Sequence, residues 1–547
     1  MLAEEIKKFF KGEVMDDPED RALYSRDASI FEIVPEVIVA PKDAEDIKNL
    51  VKFVVAEKKK GRRISLTARA AGSDMSGGPL SESIIVDFTK HLNRLLEIDH
   101  THAIAEPGMF YRDFEKETDK LGVMLPSYPA SKNLCALGGM VSNNSGGEKT
   151  LAYGKTEDYV EELKVILDDG EEYDFKPITA VELEYKLKLK TAEGDLYRKI
   201  FKLIDDNYEV IKKAKPNVSK NSAGYYLWNV WDKKTFNLCK LLVGSQGTLG
   251  FVTRIKFRLV PRHVVSKLAA IFLNDLDYLP EIIKEVLRFK PESFEVYDDK
   301  TLKLAIRFMP SLLRSLKFRA FKLGWEFLPE LWMLITGGLP KLILLAELTG
   351  DSEEEVNCNL AQLQRAIAGK YPVKIHLAKS KEESEKYWIV RRESFNLLRK
   401  HVKDRQTAPF IDDVIVRPEH LPEFLPKLSA ILDKYGDKMI STMAGHAGDG
   451  NFHIIPLMKL TDPASRAIIP EVAKQVYDLV LSYYGSITAE HNDGLIRSPF
   501  LKQMYGEKIY NLFEETKDIF DPLLIFNPGK KVHSDMNYAL SHIKAKK

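Results

Sequence analysis

Three glycine clusters constrain this chain most: Arg69-Ala70-Ala71-Gly72-Ser73-Asp74-Met75-Ser76-Gly77-Gly78, Leu137-Gly138-Gly139-Met140-Val141-Ser142-Asn143-Asn144-Ser145-Gly146-Gly147, and Gly244-Ser245-Gln246-Gly247-Thr248-Leu249-Gly250. Each lies near a short strand candidate. Glycine lets main-chain amides approach an anion with no Cβ in the way, so such a loop suits a pyrophosphate. None follows the strand, GxGxxG, helix order of a doubly wound dinucleotide fold. None runs into the Gly-Lys-Ser/Thr of a P-loop. Any one alone reads equally well as a surface turn; three together favour a cofactor cradle.

The 547 residues exceed what one core organises, so roughly two to three domains are expected. A net charge of +1 supplies no bulk field for nucleic acid. Cys135, Cys239 and Cys358 are scattered, which excludes a four-cysteine iron–sulfur cluster and a disulfide framework and suits a reducing, cytoplasmic setting. The first ten residues mix charges and carry no apolar leader, and no run of apolar residues is long enough to span a bilayer.

Residues 1–34 read as an N-terminal helical segment. Within 35–262, short strand candidates (37–40, 64–66, 84–87, 103–105, 162–167, 240–243, 251–260) alternate with glycine-rich turns and a helix from Ala44. Residues 172–238 read as a polar insertion packed on the domain edge, carrying Lys220 to Tyr225. After 262, helical periodicity appears at 279–290, 353–368, 381–403, 418–435, 465–484 and 500–519, with strand-like runs between. The fold class is α+β in both halves, the second (263–547) an antiparallel sheet covered by helices.

The second half holds Gly445-His446-Ala447-Gly448-Asp449-Gly450-Asn451-Phe452-His453 and Thr488-Ala489-Glu490-His491-Asn492-Asp493-Gly494. Two imidazoles and a carboxylate can bind one divalent metal and leave a position open for substrate. His491 is then available to move a proton. The glycines favour a loop that folds back between His446 and His453 over a helix. A lone histidine would more simply bond a core carbonyl; the constellation favours ligation. Asp449 reads as a ligand-orienting residue or as a turn residue ahead of Gly450.

In this order the motifs resemble the FAD-binding oxidoreductases of the vanillyl-alcohol-oxidase/PCMH type, such as the glycolate oxidase flavoproteins and D-lactate dehydrogenases, over about residues 20–535. The resemblance implies a PCMH-type FAD-binding domain followed by a substrate (cap) domain. It implies that Arg69, Ala70, Ala71, Gly72, Ser73, Asp74, Met75, Ser76 and Gly77 hold the FAD pyrophosphate. Pro126, Leu137, Gly138, Gly139, Ser142, Asn143, Asn144, Gly146, Gly147, Tyr153 and Gly154 would line the flavin and adenosine, with Gln246, Gly247, Gly250 and Val252 closing over it. It further implies His446, His453 and Glu490 as ligands to Zn²⁺ or Mn²⁺, His491 as base, and Arg391 as partner of the substrate carboxylate, with Arg392 as the other candidate. Where the family usually has Glu, this chain has Gln246; Ala489 and Asn492 stand where glycines are usual.

The implied activity is oxidation of a D-2-hydroxy acid to the 2-oxo acid, with a quinone or an electron-carrier protein as acceptor. Competing readings are an oxidase using O₂, a component of a larger electron-transfer complex, and a transferase resembling alkylglycerone phosphate synthase. The last family carries a run of adjacent histidines that this chain lacks. A basic, apolar insertion at about 303–338 interleaves Lys303, Arg307, Arg314, Lys317, Arg319 and Lys322 with aromatic and aliphatic residues. Over 303–334 that pattern suits the inner face of an anionic membrane, and equally a helical insertion packed on the core or in a homodimer interface.

Overall fold

A computed structural model describes residues 1–307, 340–401 and 404–544. The basic, apolar insertion therefore lies outside the described residues beyond Arg307.

The N-terminal part is built on two larger sheets, with two short two-stranded pairs beside them. In the first, strands Val37–Ala40, Ile84–Asp87 and Leu66–Arg69 run parallel, and Glu13–Met15 adds an antiparallel edge. The N-terminal segment thus contributes a strand as well as the helices Leu2–Ile6 and Pro18–Tyr24. Val37–Ala40 and Ile84–Asp87 are buried along their whole length, as their unbroken apolar runs require of central parallel strands. The second sheet is antiparallel, in the order Leu95–Ile98, His102–Ala105, Phe251–Arg258, Val160–Ile166, Glu172–Phe175. The run at 240–243 is not a strand: Asn237 Oδ1 accepts the Cys239 N–H at 3.0 Å in a turn that leads into the short helix Cys239–Leu242.

The expected edge insertion is also corrected. Helices Ala180–Lys188, Ala192–Asp206 and Tyr208–Ala214 pack on the second sheet, but Lys220 to Trp228 then run through the interior, where Lys220, Tyr225 and Tyr226 are buried. Their aromatic content, which outweighs the polar flanks, takes them inward.

The C-terminal part is built on a seven-stranded antiparallel sheet, ordered Lys374–Leu377, Val265–Leu273, Leu342–Gly350, Ser293–Asp298, Met443–His446, Asn451–Ile454, Val414–Ile415. Strand alternation sorts its side chains. Ala269, Ile271, Phe294, Val296, Phe452 and Ile454 face one core, covered by helices Leu279–Leu287 and Glu353–Ala368. The latter starts at an N-cap Ser352 and buries Val356, Leu360, Leu363 and Ile367, a one-sided helical stripe. Each such aliphatic side chain contributes about 1.5–3 kcal/mol of burial free energy. Leu268, Ala270, Tyr297, Leu345 and Ala444 face the opposite side, against helix Lys381–His401 through Tyr387, Trp388 and Val390.

The chain then returns. Ile509, Leu512, Phe513, Phe520 and Val532 join the core of the N-terminal antiparallel sheet, while Ile525 and Phe526 join that of the parallel sheet. The packing units therefore do not divide at one point near residue 262.

Candidate active site

The three glycine clusters meet. Loop 70–78 leaves strand Leu66–Arg69, and Asp74 folds it by accepting the N–H groups of Ser76 and Gly78 at 3.0 and 2.8 Å. Asn143, at the end of helix Leu137–Asn143, donates to Asp74 Oδ1 at 2.8 Å. Gln246 Nε2 donates to Ser76 Oγ (3.1 Å) and Asn143 Oδ1 (3.2 Å). Asn527, from the returning C-terminal segment, donates to Gly78 and Gln246 carbonyls at 3.0 and 2.7 Å.

These residues fit an FAD phosphate. The N–H groups of Ala71, Gly72 and Ser73 donate to no acceptor among the described residues, and Gly72 has a φ of +67°. Successive outward amides of this kind form an anion cradle. Gly139 has only the Ala70 Cβ within reach of an added Cβ, at 3.5 Å, so the two clusters face each other across a gap.

The remaining cradle residues take separate places. The Arg69 guanidinium lies against Gly72 of the loop, where an added Cβ would meet its Nη2, and it donates to the carbonyls of Tyr24 and Arg26 and lies over the Tyr24 ring. Tyr153 donates to Glu292, just ahead of strand Ser293–Asp298, at 3.2 Å. Pro126 is buried after strand Val123–Met124, and Gly154 turns the chain at φ +82°. Asn144 caps its helix in the left-handed region, Ser142 accepts the Gln246 N–H at 2.9 Å, and Val252 pairs with Val165.

The histidines lie on a hairpin. Strands Met443–His446 and Asn451–Ile454 pair so that His453 stands opposite Ala444. Alternation sends Phe452 and Ile454 into the core and His453 to the other face, which His446 shares. Glu490 enters from the loop before Gly494. His446 Nε2 lies 3.1 Å from Glu490 Oε1 and 3.3 Å from His453 Nε2, and His453 Nε2 lies 3.4 Å from Glu490 Oε1. All three are buried.

This triangle fits a metal. With bonds of about 2.0–2.1 Å, neighbouring ligands on one ion stand roughly 3.0–3.4 Å apart. The outer ring nitrogens are turned to carboxylates: His446 Nδ1 is 2.5 Å from Glu295, and His453 Nδ1 is 3.3 Å from Asp412. Carboxylates beside both Nδ1 atoms leave the two Nε2 atoms facing each other and Glu490, where a metal would take them as their protons leave. Asp413 also comes close to His453, Glu490 and His491. Its Oδ2, however, accepts from Thr488 Oγ1, Glu490 N and His491 N at 2.6–2.8 Å, so it holds the loop.

Charges follow the contacts. Burial raises the Glu295 pKa, but His446 and Arg391 outweigh it and hold the carboxyl at about 2. Burial opposes protonation of His453, which Asp412 and Glu490 nevertheless raise to about 10. Burial likewise opposes the Lys220 charge, but Asp449 and Glu490 keep it raised, at about 12. Lys220 Nζ sits 3.0 Å from Asp449 and 3.4 Å from Glu490, so Asp449 acts on the site through a buried lysine.

His491 lies beside the triangle, its ring stacked on His453 at 4.9 Å and its Nδ1 2.6 Å from Asp412 Oδ2. Arg391 is buried and reaches Glu295 at 3.0 Å. Arg392 is instead a two-pronged partner of Glu148, at 2.9 and 2.8 Å, and stacks on Trp388.

The atypical residues have local reasons. Asn492 sits at φ +68°, which asparagine tolerates, and donates to the Asn143 and Gly244 carbonyls at 3.1 and 2.9 Å. Gln246 Oε1 accepts the Gly494 N–H at 2.8 Å while its amide donates to the loops. The Ala489 carbonyl accepts from Lys155 at 2.6 Å. The loop carrying Glu490 and His491 is thereby tied to the glycine loops. An added Cβ at Gly146 would lie 3.0 Å from Glu490 Oε2, so cradle and triangle are adjacent.

Residues 35–176 match the FAD binding domain model, and residues 262–531 match the model of FAD linked oxidases, C-terminal domain. The chain belongs to the FAD-linked oxidases. As a member of that family it is 27% identical to D-2-hydroxyglutarate dehydrogenase of Pseudomonas putida, over 95% of the chain and 50% of that protein. The chain thus spans about half the length of this relative. It is 25% identical to glycolate oxidase subunit GlcD of Bacillus subtilis, over 94% and 93% of the two chains. It is 26% identical to D-lactate dehydrogenase of Archaeoglobus fulgidus, over 91% of each. In fold, this FAD-linked oxidase is similar to 4-ethylphenol oxidase from Gulosibacter chungangensis (TM-score 0.68, 15% identity, covering 98% and 97%). It is also similar to p-cresol methylhydroxylase (TM-score 0.66, 17% identity, covering 96% and 94%).

Proposed function

We propose that this chain oxidises a D-2-hydroxy acid to the 2-oxo acid. The observation that carries the reading is the triangle of His446, His453 and Glu490 beside the glycine cradle. The names of the relatives, which include D-2-hydroxyglutarate, D-lactate and glycolate enzymes, support the substrate class. When bound, FAD supplies the hydride acceptor and a divalent metal (Zn²⁺ or Mn²⁺) supplies the Lewis acid that lowers the pKa of the substrate hydroxyl.

The chain's own residues do the rest. His446, His453 and Glu490 hold the metal. Arg391, buried and oriented by Glu295 beside the triangle, turns its guanidinium to the substrate carboxylate; Arg392, half exposed on Glu148, is the weaker candidate. His491, with Nδ1 on Asp412, accepts the hydroxyl proton at Nε2. Burial of the triangle excludes water from the alcohol as it is deprotonated.

The test is an anaerobic screen of D- and L-2-hydroxy acids for bleaching of the bound flavin. Bleaching by a D-acid or glycolate is expected; a flavin that no 2-hydroxy acid reduces contradicts the reading. For the acceptor we favour a quinone or an electron-carrier protein. Among the described residues no helix is long and apolar enough to cross a membrane. The basic, apolar sequence at 303–334 supports contact with an anionic membrane surface. Co-sedimentation with anionic but not neutral liposomes at low salt is expected, and failure to bind either refutes it.

A further inference from the structure

The carboxylate of Asp412 touches two histidines at once. Its Oδ2 is 2.6 Å from His491 Nδ1, and its Oδ1 is 3.3 Å from His453 Nδ1. The side chain is fully buried. The two rings it serves lie nearly parallel, 19° apart. Its main-chain carbonyl accepts from the buried Arg497 at 2.7 Å, which fixes the carboxylate from behind.

Its neighbour cannot take this place. Asp413 Oδ2 already accepts three hydrogen bonds, its Oδ1 accepts from Asn451 at 3.1 Å, and it approaches His453 Nδ1 no closer than 4.0 Å. Glu295 serves His446 alone among the three rings.

We propose that Asp412 is a positioning residue shared by the metal ligand and the base, fixing the tautomer of His491 by a hydrogen bond and the ring orientation of His453 by an ion-pair contact. This rests on the function proposed above. A carboxylate only accepts, so the His491 ring it bonds carries a hydrogen on Nδ1 and in its neutral form offers Nε2 as a lone pair, while His453 meets the same carboxylate at an ion-pair distance of 3.3 Å that orients its ring. In His453 the Nε2 atom then faces Glu490 and His446; in His491 Nε2 is the atom needed for the hydroxyl proton. One side chain thus couples metal retention to proton removal, where two separate carboxylates would leave them independent.

The test is D412N in the full-length, FAD- and metal-loaded protein. Its amide oxygen can serve one ring and its NH₂ misdirects the other. Metal retention against graded chelator should weaken roughly tenfold or more. With metal restored to saturation, flavin reduction at saturating substrate should still be slower by roughly a hundredfold, with KM within about threefold of wild type. Metal retention equal to wild type, or full recovery of the rate once metal is restored, overturns the proposal.

A second measurement needs neither the variant nor a substrate. Nitrogen-15 histidine spectra of the metal-loaded wild type should show His491 protonated at Nδ1; a proton on Nε2 overturns the shared role. Failure of the underlying function looks different: the wild-type flavin is then not reduced by any 2-hydroxy acid. If only the role of Asp412 is wrong, wild type and D412N are reduced alike.

Discussion

Glu295 and His446 stand directly opposite each other on neighbouring antiparallel strands, and the Glu295 carboxylate lies 2.5 Å from His446 Nδ1. The pairing follows from register: residues opposite on adjacent strands share a face, and this face looks toward helix Lys381–His401. Removing the carboxylate charge should loosen the ligand behind it. We expect E295Q to retain FAD and to lose metal to a chelator at roughly ten- to a hundredfold lower concentration. Metal content after dialysis against graded chelator checks this.

Gln246 is the junction of the glycine loops. It donates to Ser76 and Asn143 and accepts from Gly494. A glutamate can only accept, and it would face Asp74, whose Oδ2 lies within 3.2 Å of an added Cβ at Gly78, beside the Gln246 amide. Q246E should destabilise the protein by about 1–3 kcal/mol. Denaturant unfolding with saturating FAD reads the stability, and fluorescence titration should show weaker FAD binding.

Gly146 separates the cradle from Glu490. A methyl there would lie 2.8 Å from Thr150 Oγ1 and 3.0 Å from Glu490 Oε2. G146A should displace Glu490, with weaker metal retention and a lower rate of flavin reduction, while the fold persists. Metal titration and circular dichroism on the same sample separate the two effects.

Lys530 gives a pH signature away from the metal. Burial lowers its pKa from 10.5 to about 7, although Asp27, Asp74 and Glu82 act the other way. The unfolded chain therefore binds a proton between about pH 7 and 10.5 that the folded protein does not. Stability linked to this group is present above pH 10.5 and is lost as pH falls through 7. Wild type measured against K530M should gain stability as pH rises across that window, in denaturant unfolding at fixed ionic strength.

The sequence carries the helices of the C-terminal half well where they are long and strongly periodic: Glu353–Ala368 coincides with its periodic stretch, and Leu501–Phe520 does so apart from a break at Gly506, where φ is +74°. It is less informative at 240–243, where a short, mostly apolar run fits a strand or a helical turn equally well. The carboxylates behind the histidines were not legible. Glu295 and Asp412 lie 151 and 79 residues from the rings they bond, and only strand order brings them there. A signal existed in Asp412-Asp413, two acids in an otherwise apolar run from Ala408 to Val416. Lys220 gave less, since its polar surroundings read as surface. Arg391 and Arg392 could not be separated by pattern alone; burial separates them.

Oxidation at the triangle of His446, His453 and Glu490 depends on the metal in the proposed reaction. The most direct measurement is anaerobic reduction of the bound flavin by the reactive 2-hydroxy acid, before and after complete metal removal. We predict that bleaching stops on chelation, with FAD still bound, and returns on adding Zn²⁺ or Mn²⁺. Bleaching that continues at an unchanged rate in the metal-free protein would contradict it.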